Sequence, residues 1–222
     1  HVWLLLAPLT YKKMSFSPYT DNGGTCVAIA GPDYVLIAGD TRMSDGYNIL
    51  HRDIPKLSQF NENIVMGTAG MHADMIGLRK ELGIRQQEYE YQARTKMGVA
   101  AFAQLLATTL YNRRFFPFYT FNILAGVDTK DNTCAIYTYD AVGCVLKAPY
   151  AASGAGESLV LPVLDAELKA RDPVTAEEAK RVLTAAFRAA DEREISTGDT
   201  LMIWTMRPGQ EIVKETMPLR RD

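Results

Sequence analysis

The sequence predicts an α+β fold: a four-layer αββα sandwich in which two antiparallel sheets stack face to face and a pair of helices covers each outer face. Three observations point to it. Along the chain the patterning runs strands, two helices, strands, two helices, strands. Each helical block carries an apolar stripe that needs a sheet beneath it, and the stacked arrangement covers every apolar surface this order creates. With 222 residues and 47% apolar content, the chain can bury a core of that size.

The elements follow in order. Residues 1–24 end in Asp21-Asn22-Gly23-Gly24, a cluster of turn formers, and are expected to be an extension ahead of a body spanning 25–222. The body opens with strands at 25–30 and 34–39, separated by the hairpin chemistry of Gly31-Pro32-Asp33. Shorter strands are expected at 47–51 and 64–70. Met75, Leu78, Leu82 and Tyr89 then recur at helical intervals, and Val99, Phe102, Ala103, Leu106 and Leu110 form a second stripe. Strand patterning returns at 121–127, 135–139 and 144–147, with a polar turn over 128–132. A helix is expected after Gly156. Another starts at Thr175, where Thr175 and Glu178 form a capping box behind Pro173, and Ala179, Val182, Leu183, Ala186, Phe187 and Ala190 share one face. Strands at 201–206 and 211–216, around the turn Pro208-Gly209, close the chain. No linker, repeat or low-complexity tract argues for a second domain.

Composition excludes several function classes. Basic and acidic residues nearly cancel, 24 against 26, so no nucleic-acid-binding field is expected. The apolar run at 2–9 is short, lacks a basic segment ahead of it and an Ala-x-Ala exit behind it, and is not expected to direct secretion. No stretch reaches the roughly 18 apolar residues of a membrane span. Cys26, Cys134 and Cys144 are odd in number, lack metal-ligand spacing and sit in apolar surroundings, which suits a reducing, intracellular compartment. His1, His51 and His72 are scattered, and no catalytic metal or cofactor is expected. Residues 152–157 lack the third glycine and the Gly-Lys-Ser/Thr of a phosphate loop and are expected to form a tight strand-to-helix turn.

Gly24, Asp40 and Lys56 stand at intervals of sixteen residues. Around them lie Gly23-Gly24-Thr25, Leu36-Ile37-Ala38-Gly39-Asp40-Thr41-Arg42 and Ile54-Pro55-Lys56-Leu57. Further along come Met66-Gly67-Thr68-Ala69-Gly70, Tyr111-Asn112-Arg113-Arg114-Phe115-Phe116-Pro117 and Ser196-Thr197-Gly198-Asp199. In these motifs, which cover nearly all of the chain after residue 20, the sequence resembles the beta-type subunits of the 20S proteasome core. The 113–117 run and the 22–25 start are most similar to the sixth, non-proteolytic member of the eukaryotic beta ring. The resemblance implies the N-terminal nucleophile hydrolase version of the four-layer sandwich.

In active members of that family the first mature residue is a threonine. Its hydroxyl attacks the peptide carbonyl and its own α-amine is the base, helped by a lysine ammonium that an aspartate holds in place. The resemblance assigns the aspartate to Asp40, the lysine to Lys56 and the threonine's place to Gly24. It also turns the family's serine beside the nucleophile into Ala155, and its supporting aspartate and serine into Glu194 and Thr197. Catalytic residues are therefore expected to be absent, with Gly24, Asp40, Lys56, Ala155, Glu194 and Thr197 as vestigial positions. Loss of a nucleophile costs on the order of 10⁶ in rate, about 8 kcal/mol of barrier.

Thr25 is a poor substitute, because a slip of one residue along a strand turns the side chain to the other face. Taken singly, Asp40 and Arg42 read as a strand-end ion pair and Lys56 as a solvated charge; set within the run of other matches, Lys56 and Asp40 are expected to be buried and to satisfy one another. What the resemblance implies overall is a non-catalytic beta subunit of the cytoplasm and nucleus. Its partners would be other alpha and beta subunits in a four-ring hetero-oligomer, with neither nucleic acid nor membrane, and the 111–119 aromatic run would be interface filling. Two alternatives stand beside it: a working threonine protease cleaved before Thr25, and a free-standing scaffold protein on the same fold.

Overall fold

A computed structural model of the chain describes residues 16–128, 131–169 and 174–221. In order the elements are β1 (Thr25–Ala30), β2 (Val35–Asp40), β3 (Met43–Asp45), β4 (Asn48–His51), β5 (Leu57–Asn61) and β6 (Ile64–Gly70), then α1 (His72–Ala93) and α2 (Val99–Tyr111). There follow β7 (Thr120–Asp128), β8 (Thr133–Tyr139), β9 (Val145–Ala148), β10 (Tyr150–Gly154), α3 (Glu157–Leu168), α4 (Ala176–Asp191), β11 (Thr200–Met206) and β12 (Val213–Pro218). One five-stranded antiparallel sheet runs β10-β1-β2-β11-β12 and the other runs β5-β6-β7-β8-β9, with β3-β4 as a separate hairpin.

Strand alternation sorts the apolar residues into three cores, which is what makes the molecule four layers thick. Val27, Leu36 and Ala38 face α3 and α4 through Val160, Leu164, Leu183 and Phe187. Met66 and Leu124 face α1 and α2 through Leu78, Leu82, Phe102 and Leu106. Between the sheets lie Cys26, Ala28, Ile37, Val65, Ile123, Ala125 and Trp204. The sheets come close together at Cys26: a Cβ on Gly67, in the opposite sheet, would lie 3.1 Å from its sulfur, and one on Gly39 would lie 3.0 Å from Lys56 Cβ. A side chain at 39 or 67 would press on these neighbours by a few tenths of an ångström.

The expected sandwich and both helix pairs are present. Three strands, β3, β5 and β10, escaped the periodicity. β3 has only three residues. β5 and β10 are edge strands, one polar in its middle (Ser58-Gln59) and the other made mostly of small residues (Ala151-Ala152-Ser153-Gly154), so neither alternates clearly. The last strand begins at Val213 rather than 211. The capping box of α4 is formed, Glu178 N donating to Thr175 Oγ1 at 3.3 Å and Thr175 N to Glu178 Oε2 at 3.4 Å. Pro173, the middle of the expected 128–132 turn and the apolar run at 2–9 lie outside the described residues.

Residues 19–24 lie along the body. Tyr19 donates its hydroxyl to Pro117 O at 2.8 Å and stacks on Phe116, and Asn22, Gly23 and Gly24 are buried. Burial therefore begins at Asn22, within the stretch expected to be an extension. Asn22 also supplies what α1 lacks: with Met71 at the N-cap offering no side-chain acceptor, Asn22 Oδ1 accepts from His72 N at 2.8 Å.

Candidate functional site

The β1–β2 hairpin register pairs Cys26 with Gly39, which brings Gly24 and Thr25 alongside Asp40 at the end of β2. Lys56 reaches the same place from the other sheet, immediately before β5. The spacing in the sequence thus converges in space, on buried ground: Asp40 is wholly enclosed and Lys56 is 2% exposed.

The two charges are held in a different way from the pair expected. Asp40 Oδ1 accepts from Thr25 N at 2.8 Å, and Oδ2 accepts from Gly198 N at 3.2 Å and Arg42 N at 3.3 Å. Lys56 Nζ donates to the carbonyl oxygen of Arg42 at 2.6 Å. Each group is satisfied by main chain because three amides converge on Asp40, while the lysine stem runs across Gly24 toward Arg42. Burial pushes the Asp40 carboxyl above the ordinary aspartate range, against the opposing pull of Lys56 and the three N–H groups.

Gly24 offers no side chain, and its space is taken. A Cβ built there would lie 2.2 Å from Lys56 Cε and 3.3 Å from Asp40 Oδ1. At Gly23 a Cβ would lie 2.3 Å from Ser196 Cβ. Both glycines have positive φ, +68° at Gly23 and +89° at Gly24, where a side chain adds strain as well as collision. The far end of the lysine stem occupies the volume that a side chain on residue 24 would enter.

The remaining expected positions divide. Ala155 is near, but only its backbone takes part: Ala155 N donates to Gly24 O at 3.0 Å. Thr197, fully buried, is near too, with its hydroxyl 2.7 Å from that of Thr25. Thr25 Oγ1 also accepts from Gly156 N at 2.9 Å, so this hydroxyl is engaged by Thr197 and the β10–α3 turn. Glu194 does not join: Oε1 accepts from Ser196 N at 3.0 Å and Ser196 Oγ at 2.7 Å, and the carboxylate closes its own local turn.

Arg42 pairs with Asp199, not with Asp40 as the strand-end reading had it. Its Nε lies 2.9 Å from Asp199 Oδ2, while Nη1 donates to Ile195 O and Nη2 to Arg220 O. Arg52 Nη1 contacts Asp199 Oδ1 at 2.5 Å. Burial alone would raise the Asp199 carboxyl; the two guanidinium groups outweigh it and hold the group below the ordinary aspartate range. A side chain at Gly198 would collide with the Arg42 guanidinium at 2.6 Å, which explains the Gly198-Asp199 order. Asp199, Ser196 and Asn22 are the participants that sequence reasoning missed. The first two lie within the Ser196-Thr197-Gly198-Asp199 motif, whose glycine followed by an acid was the available signal.

Beside Gly24 lies a cavity of about 190 Å³ lined by Asp21, Gly23, Gly70, Phe121, Gly154, Ala155 and Glu157. None of these residues carries a hydroxyl or thiol. Among the described residues no group of three His, Cys, Asp or Glu side chains is placed to hold a metal ion. Nor, among them, is any helix long and apolar enough to cross a membrane. The arrangement anchors three backbone segments around Asp40, through the amides of Thr25, Arg42 and Gly198.

Comparison with known proteins matches residues 20–206 to the proteasome subunit family model. The chain is 43% identical over 225 residues to proteasome subunit beta type-1 of Petunia hybrida, with 96% of this chain and 100% of the relative covered. It is 42% identical to the protein of that name from Arabidopsis thaliana, with the same coverage, and 41% identical to that of Drosophila melanogaster, covering 95% of this chain and 93% of the relative.

Proposed function

The chain belongs to the proteasome subunit family, and on that premise we propose that it is a beta-ring subunit of the 20S core that serves protein degradation without cutting peptides itself. The observation that carries this reading is that residue 24, beside Asp40 and Lys56, is a glycine with no side chain to act as nucleophile, its open face crossed by the end of the Lys56 stem. Gly24, Asp40, Lys56, Ala155, Glu194 and Thr197 are then vestiges of a reaction centre, and Asp40 and Lys56 are retained for architecture. The subunit would sit among other alpha and beta subunits in a four-ring assembly of the cytoplasm and nucleus, hold catalytic neighbours in register and line part of the chamber. The segment ahead of Gly24 would stay attached at least in part, which its burial at Asn22 and Gly23 supports.

A working threonine protease is the competing reading, and the geometry of Thr25 disfavours it. Its hydroxyl is engaged by Thr197 and Gly156 N rather than by Asp40 or Lys56, and it is its nitrogen, the atom that cleavage would free as an amine, that meets Asp40. A free-standing scaffold protein is the third reading, separated from the first by size: the proposal requires the chain to elute within a very large hetero-complex. Intact mass and a mechanism-based electrophile test the chemistry together. Assemblies exposed to the electrophile should carry no adduct on this chain, and the mature chain should begin before Gly24. An adduct on Thr25 would overturn the proposal.

A further inference from the structure

Asn22-Gly23 is a reactive dipeptide held shut by the fold. An asparagine followed by glycine presents its side-chain carbonyl carbon to the least hindered of backbone nitrogens. In an open chain, Gly23 N attacks Asn22 Cγ to form a five-membered imide, the Cγ–Nδ2 bond breaks, and Nδ2 leaves as ammonia after taking up the proton released by the amide. Water then opens the imide at either carbonyl, leaving aspartate or isoaspartate at position 22. Solvent water is the only co-reactant.

Each reacting group is occupied in the folded chain. The leaving group, Asn22 Nδ2, donates to Ser44 O at 3.0 Å; the carbonyl oxygen accepts from His72 N at 2.8 Å; and the attacking Gly23 N donates to Asp21 Oδ1 at 2.9 Å. The main chain is pinned on both sides, by Asn22 N to Gly70 O and Ser44 N to Asn22 O, and Asn22 is 6% exposed. The consequences of reaction would be local and severe. An aspartate would set a carboxylate against the Ser44 carbonyl where a donor now stands. An isoaspartate would lengthen the main chain by one carbon immediately before Gly24, whose carbonyl meets Ala155 N, and Thr25, whose amide meets Asp40.

We infer that Asn22 is a latent deamidation site, protected while residues 19–24 are docked and opened when they lift away, so that a chain with its front segment undocked is marked irreversibly. Docking depends on Tyr19, through its bond to Pro117 O and its contacts with Phe116 and Tyr119.

The test follows deamidation of the Asn22 peptide by mass spectrometry, in mildly alkaline buffer, for the full native chain and for the same chain in guanidinium. Deamidation in the native chain should be slower by at least about tenfold, as expected for a reaction that must wait for local opening. Tyr19→Ala should speed the native reaction without altering the rate in guanidinium. Asn22→Gln should abolish the modification in both. Equal rates in native and unfolded chains, no reaction in the unfolded chain, or an unchanged native rate in Tyr19→Ala would each overturn the inference.

Discussion

Lys56 lies across the face of Gly24, close enough that a single added carbon would sit 2.2 Å from its Cε. The relation is reciprocal: the glycine makes room for the stem, and the stem keeps the position small. Restoring threonine at residue 24 therefore would not restore a reaction centre. Gly24→Thr should destabilise the chain by about 1–3 kcal/mol through collision and positive φ. Thermal unfolding should show the loss, and assemblies carrying the variant should gain no peptidase activity and bind no electrophile at residue 24. New activity there would show that the lysine can withdraw.

Lys56 itself is held by packing as much as by charge, since its ammonium has the Arg42 carbonyl as acceptor and its stem fills the volume beside Gly24. Lys56→Ala should cost about 2–5 kcal/mol, the range for a long buried side chain cut back to its Cβ. Lys56→Met keeps the stem and should recover a good part of that loss in a denaturant melt. Peptidase activities of neighbouring subunits should be unchanged wherever assembly is normal. Loss of one distinct peptidase activity with normal assembly would argue for a chemical role.

How much of this was legible in the residues depends on the kind of interaction. The ladder of Gly24, Asp40 and Lys56 could be read through the family resemblance, and hairpin geometry and sheet stacking are what turn its fixed spacing into proximity. The helix over 176–191 could be read because its cap and apolar face are both local. The partners of Asp40 could not, because they are backbone amides of Thr25, Arg42 and Gly198 and amides carry no residue signature. The partners of Glu194 and Arg42 were not legible for a related reason. A long side chain can turn back on its own loop or reach past its nearest opposite charge, and the choice is made by tertiary neighbours such as Ser196 and Asp199.

Asp199 should be the most acid-sensitive joint among these residues. Its folded carboxyl titrates below the ordinary aspartate value, so its contribution to stability is complete above that value and lost as pH falls through the lower, folded one. Asp199→Asn leaves Arg42, 4% exposed, without its carboxylate and should cost about 3–5 kcal/mol. Urea melts across the acid range should show a flatter acid limb in the variant than in the parent. Parallel acid limbs would mean that Asp199 is not the group being titrated.

The cysteines should react in order of access. Burial first, and the Asp40 charge second, push the Cys26 thiol up to about 12, so that at neutral pH it carries its proton and is shielded as well. In the isolated native chain an alkylating reagent should label exposed Cys144 first, half-buried Cys134 more slowly, and Cys26 only on unfolding. Peptide mapping reads the order directly. Equal labelling of Cys26 and Cys144 in the native chain would contradict the placement of the former.

The pinch at Cys26, Gly39 and Gly67 sets a distance as well as a density. Gly39 leads directly into Asp40, and Gly67 pairs with Leu57, the neighbour of Lys56. The gauge between the layers at that waist therefore governs how far apart the two charged rungs stand. A methyl group at either glycine would act as a wedge, felt first at the ladder and only later in the helices outside.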